Sequence, residues 1–269
     1  MEIVAYRVFW SFVFLVTLAS LLRRWRTIRH TLTRRTLGWL SLAAVLLACN
    51  WSVYVYAITS NQVVEASLGY FINPLITVLL AVVVLHERLP MTQWLAVGLA
   101  AVGVVVITLS VGAAPWVGLT LALTFGLYGL IRKHVSLGAL EGLTIESGVL
   151  FPVAVLFLLV TGAGLHGTGE DIGVGMVLLL ALAGPVTAIP LLGFGAAAQR
   201  LPLATLGMLQ YICPTIVFIL GLTVFDEPMT TGEWVGFACI WIALAVLTWS
   251  MVRRSARGPV AINTSVEAT

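Results

Sequence analysis

Charge is scarce in this sequence. Asp, Glu, Lys and Arg together make up 9% of its 269 residues, where a soluble domain carries roughly 25%; that shortage excludes a water-exposed globular fold. Cysteine is sparse too: Cys49, Cys213 and Cys239 lie far apart in apolar stretches with no C-x-x-C spacing. Neither a disulfide framework nor a metal site is expected, and the thiols read as small buried hydrophobes. The histidines, His30, His86, His134 and His166, all fall in connections, His86-Glu87 has no second histidine after it, and no glycine-rich phosphate loop or paired intramembrane aspartates occur. Without a nucleophile–base set or a ligand spacing, the sequence predicts no enzyme, no cofactor and no metal.

Apolar length, by contrast, is abundant. Hydrophobic residues make up 60% of the chain and the mean hydropathy is +1.07. A span of the hydrocarbon core needs about 20 apolar residues at a rise of about 1.5 Å each. Nine such segments are predicted: 3–22, 37–58, 64–85, 91–110, 115–131, 143–163, 173–196, 203–224 and 232–252. The first is followed by basic residues (Arg23, Arg24, Arg26, Arg29) and shows no small-residue cleavage site, so it reads as a retained helix and not a signal peptide. The expectation is an all-α, multi-pass inner-membrane protein whose first partner is the lipid bilayer.

The basic residues occupy alternate connections. Arg7 aside, they follow segment 1 (Arg23 to Arg35), segment 3 (Arg88), segment 5 (Arg132, Lys133), segment 7 (Arg200) and segment 9 (Arg253, Arg254, Arg257), while the intervening loops hold acids such as Glu170, Asp171, Asp226 and Glu227. A net charge of +3 is thus a topology signal and gives no reason to expect a nucleic-acid partner. The positive-inside rule puts the basic set and the C-terminus in the cytoplasm and the N-terminus outside.

An internal repeat follows. Pro74 and Pro214, Glu87 and Glu227, and Trp94 and Trp234 are each 140 residues apart. That offset spans an odd number of segments, so the second copy is inverted relative to the first, an arrangement used by secondary transporters. The predicted domains are a first repeat at 1–110, a second at 115–252 and a disordered cytoplasmic tail at 253–269. The first copy holds four segments against five, and the partner of segment 5 would begin about 25 residues upstream of Met1.

Polar side chains at mid-span are costly and mark pathways or helix contacts. Asn50-Trp51 sits in segment 2, Tyr70 and Asn73-Pro74 in segment 3, and Gln210-Tyr211 with Pro214 in segment 8. A mid-helix proline frees a carbonyl about one turn earlier, so Pro74 and Pro214 are helix-break candidates, with a simple packing kink as the alternative. Arg7 and Glu146 occupy nearly equivalent repeat positions, 139 apart. Arg7 is a candidate to attract an anionic substrate group, Glu146 a candidate for gating, and both have snorkelling from a helix end as the alternative. Glu65 reads as an interfacial carboxylate. Glu87 and Glu227 read as carboxylates that meet free backbone N–H groups at the start of the next helix. Ala96 and Ala100 read as close helix packing, and Gly184-Pro185 with Pro190 as a kink or a flexible gate.

Several stretches carry a family resemblance: Arg7-Val8-Phe9-Trp10-Ser11, Asn50-Trp51, Glu65-Ala66-Ser67-Leu68-Gly69-Tyr70-Phe71-Ile72-Asn73-Pro74-Leu75, Gln93-Trp94-Leu95-Ala96-Val97, Phe125 to Lys133, Thr205-Leu206-Gly207 and Gln210-Tyr211. In these the chain resembles the RarD subgroup of the EamA-domain permeases in the drug/metabolite transporter superfamily. The resemblance implies a ten-helix bundle of two EamA repeats with both termini cytoplasmic, although the first helix of that pattern has no match here. It also implies a small-molecule permease; proteins of this type are commonly labelled for chloramphenicol. The reading is therefore a secondary permease, an exporter working by alternating access around a midplane cavity lined by Arg7, Asn50, Trp51, Tyr70, Asn73, Gln210 and Tyr211, with room for a coupling ion. The alternatives are a non-transporting truncated membrane protein, or a lipid-handling enzyme or flippase accessory. Oligomeric state is not legible.

Overall fold

The computed structural model describes residues 2–60, 63–111, 116–135, 137–161, 174–216, 219 and 230–256. These form α1 (Glu2–Leu21), α2 (Trp25–Thr31), α3 (Arg34–Thr59), α4 (Val63–Val83), α5 (Met91–Val111), α6 (Trp116–His134), α7 (Ala139–Thr161), α8 (Val174–Arg200), α9 (Leu203–Leu209) and α10 (Thr231–Ala256). A further helical run at 212–216 follows α9 after a turn at 210–211. Each of the nine predicted segments contains a helix. By length and composition six of the described helices can cross a bilayer, with shorter apolar stretches at Gly69–Val83 and Leu203–Ile216.

The ends of these helices are written in the sequence. Thr33 caps α3 by accepting from the Thr36 N–H at 3.1 Å. Thr230 and Glu233 form a reciprocal capping box at the start of α10, with the Thr230 N–H donating to Glu233 Oε2 at 2.8 Å and the Glu233 N–H to Thr230 Oγ1 at 3.3 Å. At the end of α4, His86 adopts a left-handed φ of 53° and the Glu87 N–H bonds the Ala81 carbonyl at 3.0 Å, satisfying one of the helix's last free carbonyls. One element was not predicted: the basic connection after α1 contains α2, whose Ile28 is buried. Seven residues were too short for a hydropathy signal.

Helices related by the 140-residue offset run antiparallel. Between α5 and α10, Thr92 Oγ1 and Ser250 Oγ lie 3.2 Å apart near one end, and Gly103 faces Gly236 further along. Between α4 and α9, Glu87 meets Leu203 and Asn73 meets Gln210. Between α1 and α7, Arg24 pairs with Glu141 at 3.4 Å, and Phe9 stacks on Phe151 at 5.5 Å. Two inverted copies thus build one polytopic helix bundle. The same contacts gather the connections carrying Arg24, Arg88, Lys133 and Arg200 at one end of it.

Small residues set the closest approaches, as expected where helices have no hydrophobic drive to associate beyond packing. Ala96 and Ala100 are fully buried between helices. A Cβ at Gly103 would stand 2.6 Å from the Gly236 carbonyl oxygen, whereas one at Gly98 would meet nothing within 4 Å. Gly103→Ala should therefore lower the thermal midpoint of the detergent-purified protein, by overpacking worth about 1–3 kcal/mol. Gly98→Ala should leave it unchanged or raise it, since alanine is the better helix former by about 0.5–1 kcal/mol. Equal effects would show that this crossing does not hold α5 to α10.

Candidate functional site

A cavity of about 650 Å³ opens among α1, α3, α4, α6, α8 and the 210–213 turn. It is lined by Arg7, Asn50, Trp51, Tyr54, Ala66, Gly69, Tyr70, Asn73, Leu121, Phe125, Ala183, Val186, Thr187, Pro190, Leu191, Phe194, Gln210 and Cys213. These positions lie between the middle of the bundle and the end away from the basic connections. Its volume falls in the range of about 300–1,000 Å³ usual for small-ligand pockets.

The structure brings Arg7, Asn50, Trp51, Tyr70, Asn73 and Gln210 to one wall system. Arg7 comes from α1; its Nε donates to Thr187 Oγ1 at 3.2 Å and its guanidinium lies 4.7 Å over the Trp51 ring, a cation–π contact. This Arg7 does not snorkel from a helix end. Asn50 is partly committed: its Nδ2 donates to the Leu121 carbonyl and to Thr124 Oγ1, both at 2.9 Å, pinning α3 to α6. Tyr54 and Tyr70 meet edge to face at 6.2 Å. Asn73 Nδ2 donates to Gln210 Oε1, leaving Asn73 Oδ1 and Gln210 Nε2 without partners. A buried polar atom left so costs about 1–3 kcal/mol, so this amide pair is a half-satisfied contact at the cavity wall.

Five pairs of lining positions are related by the repeat: Asn50 and Pro190, Trp51 and Leu191, Tyr54 and Phe194, Tyr70 and Gln210, Asn73 and Cys213. The first copy contributes mainly polar or amphipathic groups and the second mainly apolar ones. The cavity is therefore two-faced.

Other predicted residues lie elsewhere. Tyr211 is fully buried in the core with Met208, Leu206 and Phe237 and does not line the cavity. Consecutive residues of a turn project differently, and Gln210 takes the inward place. Pro74 and Pro214 are buried behind the wall. Pro74 sits in a helix that runs on through it, while before Pro214 the helix breaks and the Cys213 N–H bonds the Gln210 carbonyl at 3.1 Å. Cys49 and Cys213 are exposed and Cys239 half-buried, correcting the expectation of buried thiols: Cys213 opens onto the cavity, and an outward-facing position such as Cys49 in a bilayer bundle needs no burial in protein. Glu87 takes the expected structural role on a different helix: it accepts from the Leu203 N–H at 2.7 Å and the Ala204 N–H at 3.0 Å, capping α9 and not α5. The Glu65 side chain and Glu170, Asp171, Asp226 and Glu227, with the tail beyond 256, lie outside the described residues.

Glu146 is not a snorkelling end residue. It is buried in α7, accepting from Arg132 Nη1 at 3.1 Å and from the Tyr128 hydroxyl at 3.2 Å. Arg132, read in sequence only as a topology marker, is 1% exposed and also donates to the Ala139 carbonyl at 3.3 Å. Gly142 and Gly195 leave the slot its guanidinium occupies. Beside it Lys133 Nζ donates to the Leu201 carbonyl at 2.6 Å and Gln199 Nε2 to the Leu137 carbonyl. α6, α7 and α8 are thereby tied together at the basic end.

Thr187, Tyr54 and Phe194 were missed. Tyr54 was within reach, because Asn50, Trp51 and Tyr54 fall on one face of a helix at i, i+1 and i+4. Thr187 carried no such signal, since its role is set by the approach of α1.

Comparison with known proteins agrees with this architecture. The EamA-like transporter family pattern matches residues 1–109. The RarD protein of Streptomyces exfoliatus is 47% identical over 95% of this chain and 82% of its own. The uncharacterized transporter YojE of Bacillus subtilis is 44% identical over 94% and 86%. A solved crystal structure shares the fold, with a TM-score of 0.67 at 17% identity over 94% of this chain and 88% of that one.

The buried ion pair predicts a clear double-mutant result. Glu146→Ala strands the Arg132 charge and should destabilise the purified protein by about 3–5 kcal/mol, while Arg132→Met combined with Glu146→Leu should recover most of that loss. Thermal unfolding in detergent measures both; a double variant no more stable than Glu146→Ala would remove the pair as the cause.

Proposed function

The chain belongs to the EamA-like transporter family, in its RarD subgroup, and we propose that it is a secondary permease that exports a small metabolite or drug by alternating access around this cavity. The observation that carries the reading is the placement of the cavity on repeat-related positions, since secondary transporters bind solute near the midplane where inverted repeats meet. In this reading repeat one is 1–110 and repeat two is 115–252, with α10 running on to Ala256 into the stretch expected as tail.

The basic end is assigned to the cytoplasm by its arginines and lysine, which puts the C-terminus there. The cavity then faces away from the cytoplasm, and the closed side carries the Arg132–Glu146 pair, the Lys133 contact with α8 and the Glu87 cap on α9. Glu146 acts in this closed gate, not in the cavity. Opening toward the cytoplasm requires these contacts to part while the opposite side closes. Arg7, Asn50, Trp51, Tyr70, Asn73 and Gln210 receive the solute, Tyr211 supports Gln210 from the core, and the break before Pro214 supplies the bend, while α4 runs on through Pro74. A coupling ion is compatible with the scheme.

Comparing metabolites in the medium of deletion and overexpression strains identifies the solute. With it, Asn73→Ala and Gln210→Ala should each cut flux into proteoliposomes about two- to tenfold, the value of a neutral hydrogen bond, without cutting folded yield. Unchanged flux in both removes the amide pair from the site.

A further inference from the structure

We infer that the cavity is built for an organic monoanion with an apolar body, whose negative group supplies the counter-charge that Arg7 lacks. Two arginines in this bundle can be compared directly. Arg132 is answered by Glu146 at 3.1 Å. Arg7 is answered, among the described residues, only by neutral groups, the Thr187 hydroxyl and the Trp51 face. Among the described residues it has no carboxylate in ion-pair reach, and the residues lining the cavity include no Asp or Glu. A guanidinium held inside a membrane bundle without a counter-charge is costly. Such a group persists where a ligand completes it, and a guanidinium presents its N–H fork to carboxylate or phosphate in a way no other side chain does.

The rest of the wall sets the body of that ligand. Opposite the polar face of the first copy stand Pro190, Leu191 and Phe194 of the second, with Phe125 beside them. Phe125 and Phe194 lie 4.9 Å apart between ring centres. One fixed positive charge matches one negative charge, and the apolar face matches a flat ring or short aliphatic body. Among the described residues these walls offer an ammonium group no anionic partner, so amines are disfavoured. As the transported solute this anion rests on the permease reading; as a ligand it is testable without transport.

The test uses the full chain in neutral detergent and thermal-shift titration with matched triplets of acid, amide and amine on one body: phenylacetate, phenylacetamide and phenethylamine; indole-3-acetate, its amide and tryptamine; hexanoate, hexanamide and hexylamine. Chloride and phosphatidylglycerol form two further arms. The expected result is a rise in midpoint with acids alone. Arg7→Gln should bind them roughly ten- to hundredfold more weakly, the worth of a hydrogen bond to a charged group, and Arg7→Lys should retain part of the effect. Thr187→Ala, which removes the support at Nε, serves if Arg7→Gln does not fold, and should weaken acid binding but not amide binding. Equal shifts with amides or amines, no shift with any acid, undiminished binding by Arg7→Gln, or the same stabilisation by chloride or phosphatidylglycerol would each overturn the assignment. Acid binding without acid flux in vesicles would defeat the permease reading and leave the anion site standing. Flux of a neutral solute undiminished by Arg7→Gln would do the reverse.

Discussion

Hydrocarbon offers neither hydrogen bonds nor counter-charges, so every polar group inside this bundle must be answered from within it or by a ligand. The answers are visible along the helices. Hydroxyls of Thr17, Ser20, Thr59, Thr108 and Thr144 donate to the carbonyl one turn back. Asn50 spends its donors on α6. Glu87 satisfies the first amides of α9, where the helix presents its positive dipole end. Glu146 accepts from both Arg132 Nη1 and the Tyr128 hydroxyl, although Arg132 Nε is left without a partner. Among the described residues, Asn73 Oδ1 and Gln210 Nε2 at the cavity wall have no hydrogen-bond partner, and Arg7 beside them has no counter-charge.

The repeat explains why the cavity is where it is, and divergence of its copies explains what it looks like. Positions 140 apart meet across the pseudo-symmetry, so ten of the wall residues form five pairs of counterparts. Identical copies would line such a cavity evenly. Here Tyr54 faces the role of Phe194, Trp51 that of Leu191 and Asn50 that of Pro190, and the hydrogen-bonding capacity has concentrated in the first copy. An amphipathic cavity results from a symmetric backbone.

What could be read from sequence followed range. Segment positions, inversion and the polar set at 7, 50, 51, 70, 73 and 210 were legible because hydropathy, loop charge and a constant offset are properties of the chain itself. Partner choice was not. Glu87 looked like a cap for the helix that follows it, yet α9, over a hundred residues on, begins beside it. Arg132 looked like a loop charge because nothing local shows that Gly142 and Gly195 clear a slot for it. Tyr211 was grouped with Gln210 because adjacency in sequence says nothing about which residue of a turn points inward.

The two prolines show how equal sequence yields unequal structure. Around Pro74, α4 is braced in parallel by α6: a Cβ at Gly69 would lie 3.1 Å from Leu121, and one at Gly126 3.1 Å from Ile76. These contacts, one on each side of the proline, hold the two halves of α4 in line despite the lost hydrogen bond. Before Pro214 the chain instead turns at 210–211, taking a tighter hydrogen bond in place of the missing one. That turn carries Gln210 across to Asn73, the one place among the described residues where the two copies join through side-chain amides. Bracing on one side and a break on the other give the cavity one continuous and one interrupted wall, the asymmetry that the proposed alternating access would use.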